Sequence, residues 1–135
     1  MSERNVELYR RAIAAWNEGD LEAWRGLGGV DWEFRTTGTF PGFEPVYRGR
    51  EGMTEFWENL REAWEFFHIE LESVRDAGDR VVGLVRFHGR GKASGAEVFL
   101  EYAHVATYVD GRNTLLEGYL SHAEAIEAAR LSQPS

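Results

Sequence analysis

The sequence predicts an α+β fold: one curved, mainly antiparallel sheet cupped around helices. Three observations carry that expectation. Two amphipathic helical stretches and a third come first, and an unbroken run of strands with a short closing helix follows. The third stretch, Glu51 to about Phe67, spaces Met53, Phe56, Trp57, Leu60, Trp64 and Phe67 at the three-and-four interval of a helix buried along one side. The hydrophobic period then switches to two and stays there to about Leu120. An aromatic helix against the hollow side of such a sheet makes a cup with an apolar interior.

Each element has its own signals. Ser2 or Asn5 can cap a first helix whose apolar face is Val6, Tyr9, Ile13 and Trp16, stopped at Gly19. Asp20 caps a short second helix with Leu21, Trp24 and Leu27 inward, broken by Gly28-Gly29. Residues 30–37 alternate Trp32, Phe34 and Thr36 against Asp31, Glu33 and Arg35, as a half-buried strand does. Gly38 to Gly49, rich in proline and glycine, reads as a long irregular loop and a candidate rim or lid. Strands are expected over 68–75, 80–91, 97–109 and 113–121, joined as a meander through Gly78-Asp79, Gly91–Ala96 and Asp110-Gly111. Ala123–Leu131 closes the chain as a helix. The whole of 1–135 reads as one domain, frayed over 132–135.

Composition narrows the function classes. A chain of 135 residues can bury roughly 68% of its unfolded surface, enough for a real core. The absence of cysteine excludes a disulfide framework and a thiolate nucleophile. A formal charge of −8 argues against nucleic acid or an anionic membrane as partner. No apolar run approaches the roughly 20 residues of a membrane span, and the charged N-terminus is no signal peptide. The expectation is a cytoplasmic protein. No His and carboxylate spacing suits a metal, and no cofactor motif is present, since Gly89-Arg90-Gly91 is followed by no helix.

The strings AAWNEGDLEAW, YRGREGMTEFW, DAGDRVVGLVRFHGRG and EYAHVATYVDGR, in this order, resemble the SnoaL-like branch of the nuclear transport factor 2 superfamily. The resemblance spans nearly the whole chain. It implies a cone-shaped α+β fold, in which a bent sheet wraps three N-terminal helices, usually as a homodimer with an apolar pocket at the open end. Polyketide cyclases, ketosteroid isomerase, limonene epoxide hydrolase and scytalone dehydratase share the superfamily, so fold alone does not name a reaction. Carried over residue by residue, the isomerase's base falls near Thr36 and its oxyanion tyrosine near Ala12. Its second oxyanion group falls on His104. The Asp common to cyclases and epoxide hydrolases falls on Gly118, so each family carboxylate is absent here. Polyketide cyclases also carry a pocket histidine about where His104 stands.

Strand alternation indicates which side chains enter the cup. Asp110-Gly111 is either a two-residue turn, setting His104 opposite Glu117, or part of a three-residue loop, setting it opposite Leu116. Matching the apolar face Leu116, Gly118 and Leu120 to Tyr102, His104 and Ala106 requires the longer loop and turns His104 inward. In the preceding strand, Arg86 and His88 share one face and Val85 and Phe87 the other. Pattern alone sends the charged pair to solvent. The resemblance to epoxide hydrolases, with an inward Arg-x-Asp pair on this strand, sends Arg86 and His88 into the pocket, and that placement is adopted. His68 and His122 read as solvated, and Arg48, Arg50 and Glu51 as rim charges.

The resulting expectation is a small enzyme acting on an apolar, carbonyl-bearing or polycyclic ligand. His104 would serve as general acid or base, with Arg86 or His88 steadying developing charge. Trp32, Phe34, Thr36, Trp57, Trp64, Tyr102, Leu116 and Gly118 would line the pocket. The alternatives are a non-catalytic dimeric binding module for an apolar metabolite, and a structural dimer with a filled cavity. Phe99, Val85 or Tyr119 on the outer sheet face suggest a homodimer. Gly118→Asp is the change that would introduce a family-like carboxylate.

Overall fold

The computed structural model describes residues 2–36 and 43–131. Its elements in chain order are α1 (Ser2–Glu18), α2 (Leu21–Arg25), β1 (Gly28–Arg35), β2 (Val46–Arg48), α3 (Gly49–Ala63), β3 (Trp64–Ala77), β4 (Arg80–Gly91), β5 (Glu97–Val109), β6 (Arg112–Tyr119) and α4 (His122–Leu131). They form an α+β cone. Six strands make one sheet in the order β2-β1-β6-β5-β4-β3. All neighbours are antiparallel except β1 and β6, which run parallel.

Helix punctuation works locally. Gly19 adopts a left-handed conformation (φ 74°) that ends α1, and the Asp20 carboxylate accepts a 3.0 Å bond from the Ala23 N–H at the start of α2. The α3 helix is shorter at its end than its spacing suggests. Trp64 has extended backbone, and the polypeptide from there onward pairs with β4. Trp64 and Phe67 therefore belong to β3, where Trp64 packs edge-on against Phe87 at 5.1 Å. Aromatic residues favour strand as readily as a helix face, and pairing with β4 decides between them. The segment expected to be a loop up to Gly49 holds β2, whose Val46, Tyr47 and Arg48 pair with Arg35, Phe34 and Glu33. Residues 38–42 of that segment, with Thr37 before it, lie outside the described residues.

The concave face carries α1 and α3, and its core gathers on Trp16. That ring lies 5.0 Å from Trp24, 5.5 Å from Phe56, 6.4 Å from Trp57 and 6.1 Å from Phe67. A second, smaller core lies on the convex face, where Ala125 and Ala129 of α4 cover Val82, Leu84, Ala103 and Val105. At the free edge of the sheet, Asn17 bonds both backbone groups of Ile69, each at 2.8 Å, tying α1 to β3 and satisfying an exposed strand edge.

The β5–β6 hairpin turns on two residues, both with positive φ (Asp110 50°, Gly111 76°), the signature of a type I′ turn. Val109 thus pairs with Arg112 and Tyr108 with Asn113, but Thr107 pairs with Leu115. Thr114 is the extra residue of a bulge. The buried Asn113 amide fills it, donating to the carbonyls of Thr107 (2.9 Å) and Leu115 (3.0 Å). The three-residue loop is therefore corrected to a two-residue turn plus a bulge, and His104 pairs with Gly118 rather than Leu116. The parity is unchanged, since 116 and 118 share a face.

Candidate functional site

Three residues in register form the floor of the cone: Gly83 on β4, His104 on β5 and Gly118 on β6. Tyrosines from two directions occupy the space above the glycines. A Cβ at Gly83 would fall 2.0 Å from the Tyr9 hydroxyl and 2.1 Å from its ring carbon Cζ. A Cβ at Gly118 would fall 2.0 Å from the Tyr102 hydroxyl. Gly83 and Gly118 therefore create the recesses into which Tyr9 of α1 and Tyr102 of β5 fit, one on either side of His104.

His104 is 2% exposed. Its Nδ1 lies 2.8 Å from the Tyr9 hydroxyl, while Nε2 is buried with no hydrogen-bond partner among the described residues. Rings surround it: Tyr102 at 5.2 Å, Tyr9 at 5.9 Å, Trp16 at 6.3 Å and Phe34 at 6.4 Å. Loss of hydration penalises the imidazolium and pushes the His104 pKa down to about 4, so the ring is neutral at pH 7. The same burial raises both phenols, Tyr9 and Tyr102, above their ordinary value and keeps them protonated. The site is therefore uncharged, with hydrogen-bonding power concentrated on one imidazole and two hydroxyls.

Beside the ring is a chamber of about 20 Å³ lined by Tyr9, Trp16, Tyr108, Asn113 and Leu116, among others. His104 is buried whereas Tyr102 and Leu100 on β5 are half-buried, and burial falls from Leu116 through Gly118 on β6 to Leu120 (38% exposed) just beyond it, so the cone is less closed toward that end. Thr36 stands at the same end of β1. Its hydroxyl donates to the Glu44 carbonyl at 2.7 Å, a tie across the rim. On another side, a groove of about 730 Å³ runs between α1, α3 and β3, and Trp16 borders both this groove and the chamber.

Several expected pocket residues are where the alternation placed them. Trp32, Phe34, Trp57 and Leu116 are buried on the concave side with His104, and Tyr102 is half-buried there. Trp64 is on β3 at the groove, not on the helix face. Gly118 lies on the floor, but the Tyr102 hydroxyl already fills the space that Gly118→Asp would need.

Arg86 and His88 are corrected: both point away from the cone. β4 pairs residue by residue with β5, Gly83 with His104 and Val85 with Tyr102, so the odd-numbered side chains go inward. Arg86 is exposed and its Nε bonds Glu72 at 3.0 Å; His88 lies 3.2 Å from Glu97. The reason is solvation. Outside, a guanidinium keeps water and carboxylate partners, and burial in the aromatic interior would strip both. By the same register Val85 is interior and Tyr119 packs beside α4, leaving Phe99 (64% exposed) on the outer face. His122 is not simply solvated, since its Nε2 lies 2.9 Å from the Val85 carbonyl. Tyr9, the partner of His104, was not singled out from the sequence, although its place on the apolar face of α1 and a glycine opposite His104 were both visible there.

Among the described residues, no three His, Cys, Asp or Glu side chains group so as to hold a metal ion, and no helix is long and apolar enough to cross a membrane.

Comparison with known proteins agrees with this architecture. The same fold is found in a nuclear transport factor 2-like protein of unknown function from Burkholderia pseudomallei K96243, at 18% identity and a TM-score of 0.82 over 92% of this chain and 95% of that one. TerC, co-crystallized with polyporic acid, is 20% identical with a TM-score of 0.80 over 94% and 98% of the two chains. A protein described as a SnoaL-like polyketide cyclase, from Jannaschia sp. CCS1, is 21% identical with a TM-score of 0.77 over 98% and 95%. No curated protein matches the chain. The family model for the SnoaL-like domain matches residues 9–115, and by that match the chain belongs to the SnoaL-like domain family.

Proposed function

We propose that this protein holds an apolar, carbonyl-bearing small molecule in the cone, with His104 as its polar contact and as the group that exchanges a proton with it. The observation that carries this is the buried Nε2 of a neutral imidazole, left without a partner in an otherwise aromatic enclosure. A native interior satisfies nearly all its buried polar atoms, and the unpaired Nε2 at the floor of the cone, with the unpaired Trp32 Nε1 in the same core, supports a ligand there. Membership of the SnoaL-like family and the co-crystallization of TerC with polyporic acid support a small-ligand role of this class.

A second reading, a binding module without turnover, is favoured by a specific feature. The buried polar residues are His104 and Asn113, and the Asn113 amide is committed to the bulge. No carboxylate stands in the described interior to act as a base.

Tryptophan fluorescence tests the binding claim with 9-fluorenone and its carbonyl-free counterpart fluorene. Fluorenone should bind more tightly, and His104→Leu should remove about a tenfold advantage while leaving fluorene unchanged. Equal affinities, or no saturable quenching, would refute the proposal. Catalysis is tested with 2-tetralone in deuterium oxide. His104-dependent exchange of its α-hydrogens supports an enzyme, and binding without exchange supports the module. The outer patch, where His88 stacks on Phe99 at 4.1 Å beside Phe66, is the surface through which we propose that two copies pair.

A further inference from the structure

We propose that Tyr9 is a positioning residue that locks His104 as its Nε2–H tautomer, so that the pocket presents a hydrogen-bond donor and selects ligands bearing an acceptor oxygen. The claim about ligands rests on the binding role proposed above; the claim about the tautomer does not.

Two arrangements of the Tyr9–His104 bond are chemically possible. Either the Tyr9 O–H donates to a lone pair on Nδ1, or an Nδ1–H donates to the Tyr9 oxygen. A phenol is a far stronger acid than a neutral imidazole N–H, and an imidazole lone pair is a far better acceptor than a phenol oxygen. Pairing the stronger donor with the stronger acceptor puts the proton of the bond on Tyr9 and the ring proton on Nε2.

The surroundings reinforce this choice. Tyr9 is 2% exposed and has no second hydrogen-bond partner among the described residues, so the reverse arrangement would leave two buried groups unsatisfied, the Tyr9 hydroxyl proton and the Nε2 lone pair, against the single Nε2–H of the first. A water in the 20 Å³ chamber would be a poor substitute acceptor. The chamber walls are mostly carbon, and the Nδ2 donors of Asn113 are already spent on Thr107 and Leu115. A buried water ordinarily needs two to four polar partners, and these walls do not offer them. The geometry is also rigid. Tyr9 is seated in the recess above Gly83, the β4 residue paired with His104, so hydroxyl and ring are held by adjacent strands.

The chemical consequence is directional. With Nε2 protonated, His104 gives a hydrogen bond and does not take one. Carbonyl and quinone oxygens fit, whereas a group offering only a donor meets an N–H facing it. In a reaction His104 would polarise the carbonyl, and an α-proton taken at Nε2 would replace the Nε2 proton passed to the carbonyl oxygen in the same exchange, so that ketone becomes enol and the ring ends as it began. Tyr9, touching only Nδ1, acts through the ring and not on the ligand.

The test is long-range ¹H–¹⁵N correlation on the uniformly labelled full chain at pH 7, without ligand. The expected result is a pyrrole-type Nε2 and a pyridine-type Nδ1 for His104. A proton on Nδ1 in the wild type overturns the proposal outright, whatever any variant does. Tyr9→Phe should release the lock and give a mixture of tautomers, and it should weaken 9-fluorenone binding about three- to tenfold with fluorene unaffected. A Tyr9→Phe spectrum still fully in the Nε2–H form would also overturn it. If fluorenone fails to bind while the tautomer is as stated, the binding role falls and the positioning role of Tyr9 stands.

Discussion

Acidification should destabilise this protein through His104 specifically. In the unfolded chain a histidine titrates near 6.5, whereas burial in the folded cone holds His104 at about 4. Above pH 6.5 the ring is neutral in both states and pH has no leverage through it. Between about 6.5 and 4 the unfolded chain takes up a proton that the native state refuses, so unfolding becomes progressively easier as pH falls. Below about 4 both states are protonated and the loss levels off. With 1.36 kcal/mol for each pH unit, the full window amounts to about 3 kcal/mol, a large part of the stability of an ordinary domain. Carboxylates begin to titrate at the lower end, so the measurement is a comparison with His104→Leu. Urea unfolding of both proteins at pH 7 and pH 4.5 should show the wild type losing about 2–3 kcal/mol more than the variant. Parallel losses would refute the assignment of a buried, neutral, low-pKa ring at position 104, as would a direct NMR titration of His104 near 6.5.

Gly83→Ala should destabilise by about 3 kcal/mol or more, because the new methyl meets the buried Tyr9 ring, and Tyr9→Phe should not restore it. Gly118→Ala meets chiefly the hydroxyl end of the half-buried Tyr102, so it should cost less and be largely restored by Tyr102→Phe; equal costs in urea unfolding would contradict this geometry. Asn113→Ala should cost about 1–2 kcal/mol by removing two hydrogen bonds at the bulge, the Thr107 carbonyl keeping only a long bond from the Thr114 hydroxyl (3.4 Å), with faster amide exchange around Thr107 and Leu115. Light scattering at micromolar concentration should give a dimer for the wild type and a monomer for Phe99→Glu. A wild-type monomer would remove the proposed pairing surface.

Much of the architecture was legible because it rests on local periodicity. Met53, Phe56, Trp57 and Leu60 lie buried as their spacing demands, and Gly19 and Asp20 stop and start helices as their chemistry dictates. What was not legible depends on partners distant in the chain. Whether Trp64 continues a helix or opens a strand is decided by β4, some twenty-five residues later. The three residues of β2 are too few to show alternation and exist because β1 offers them an edge. Arg86 and His88 followed the water available outside, as their own pattern implied, and not the placement drawn from relatives. His104 was visible as an inward residue, but Tyr9 was not visible as its partner. That contact spans 95 residues and needs the recess at Gly83.

The bulge at Thr114 has a bearing on which side chains this pocket holds. Side chains on β6 alternate between interior and surface, and one surplus residue decides which set goes where. Were the Val109–Arg112 register carried on unbroken through the same residues, Thr107 would face Thr114 and His104 would face Glu117, with Gly118 turned outward. The surplus residue prevents this, since Leu115 and not Thr114 pairs with Thr107 and Gly118 stays opposite His104. Deleting Thr114 would leave the floor as it is, because the residues on either side already hold the pairing that a continuous ladder would give them. A loosened bulge that let β6 slip by one residue would instead bring a carboxylate into the cone. The Asn113 amide, by pinning the bulge, therefore guards the neutrality of the interior from a position outside the floor itself.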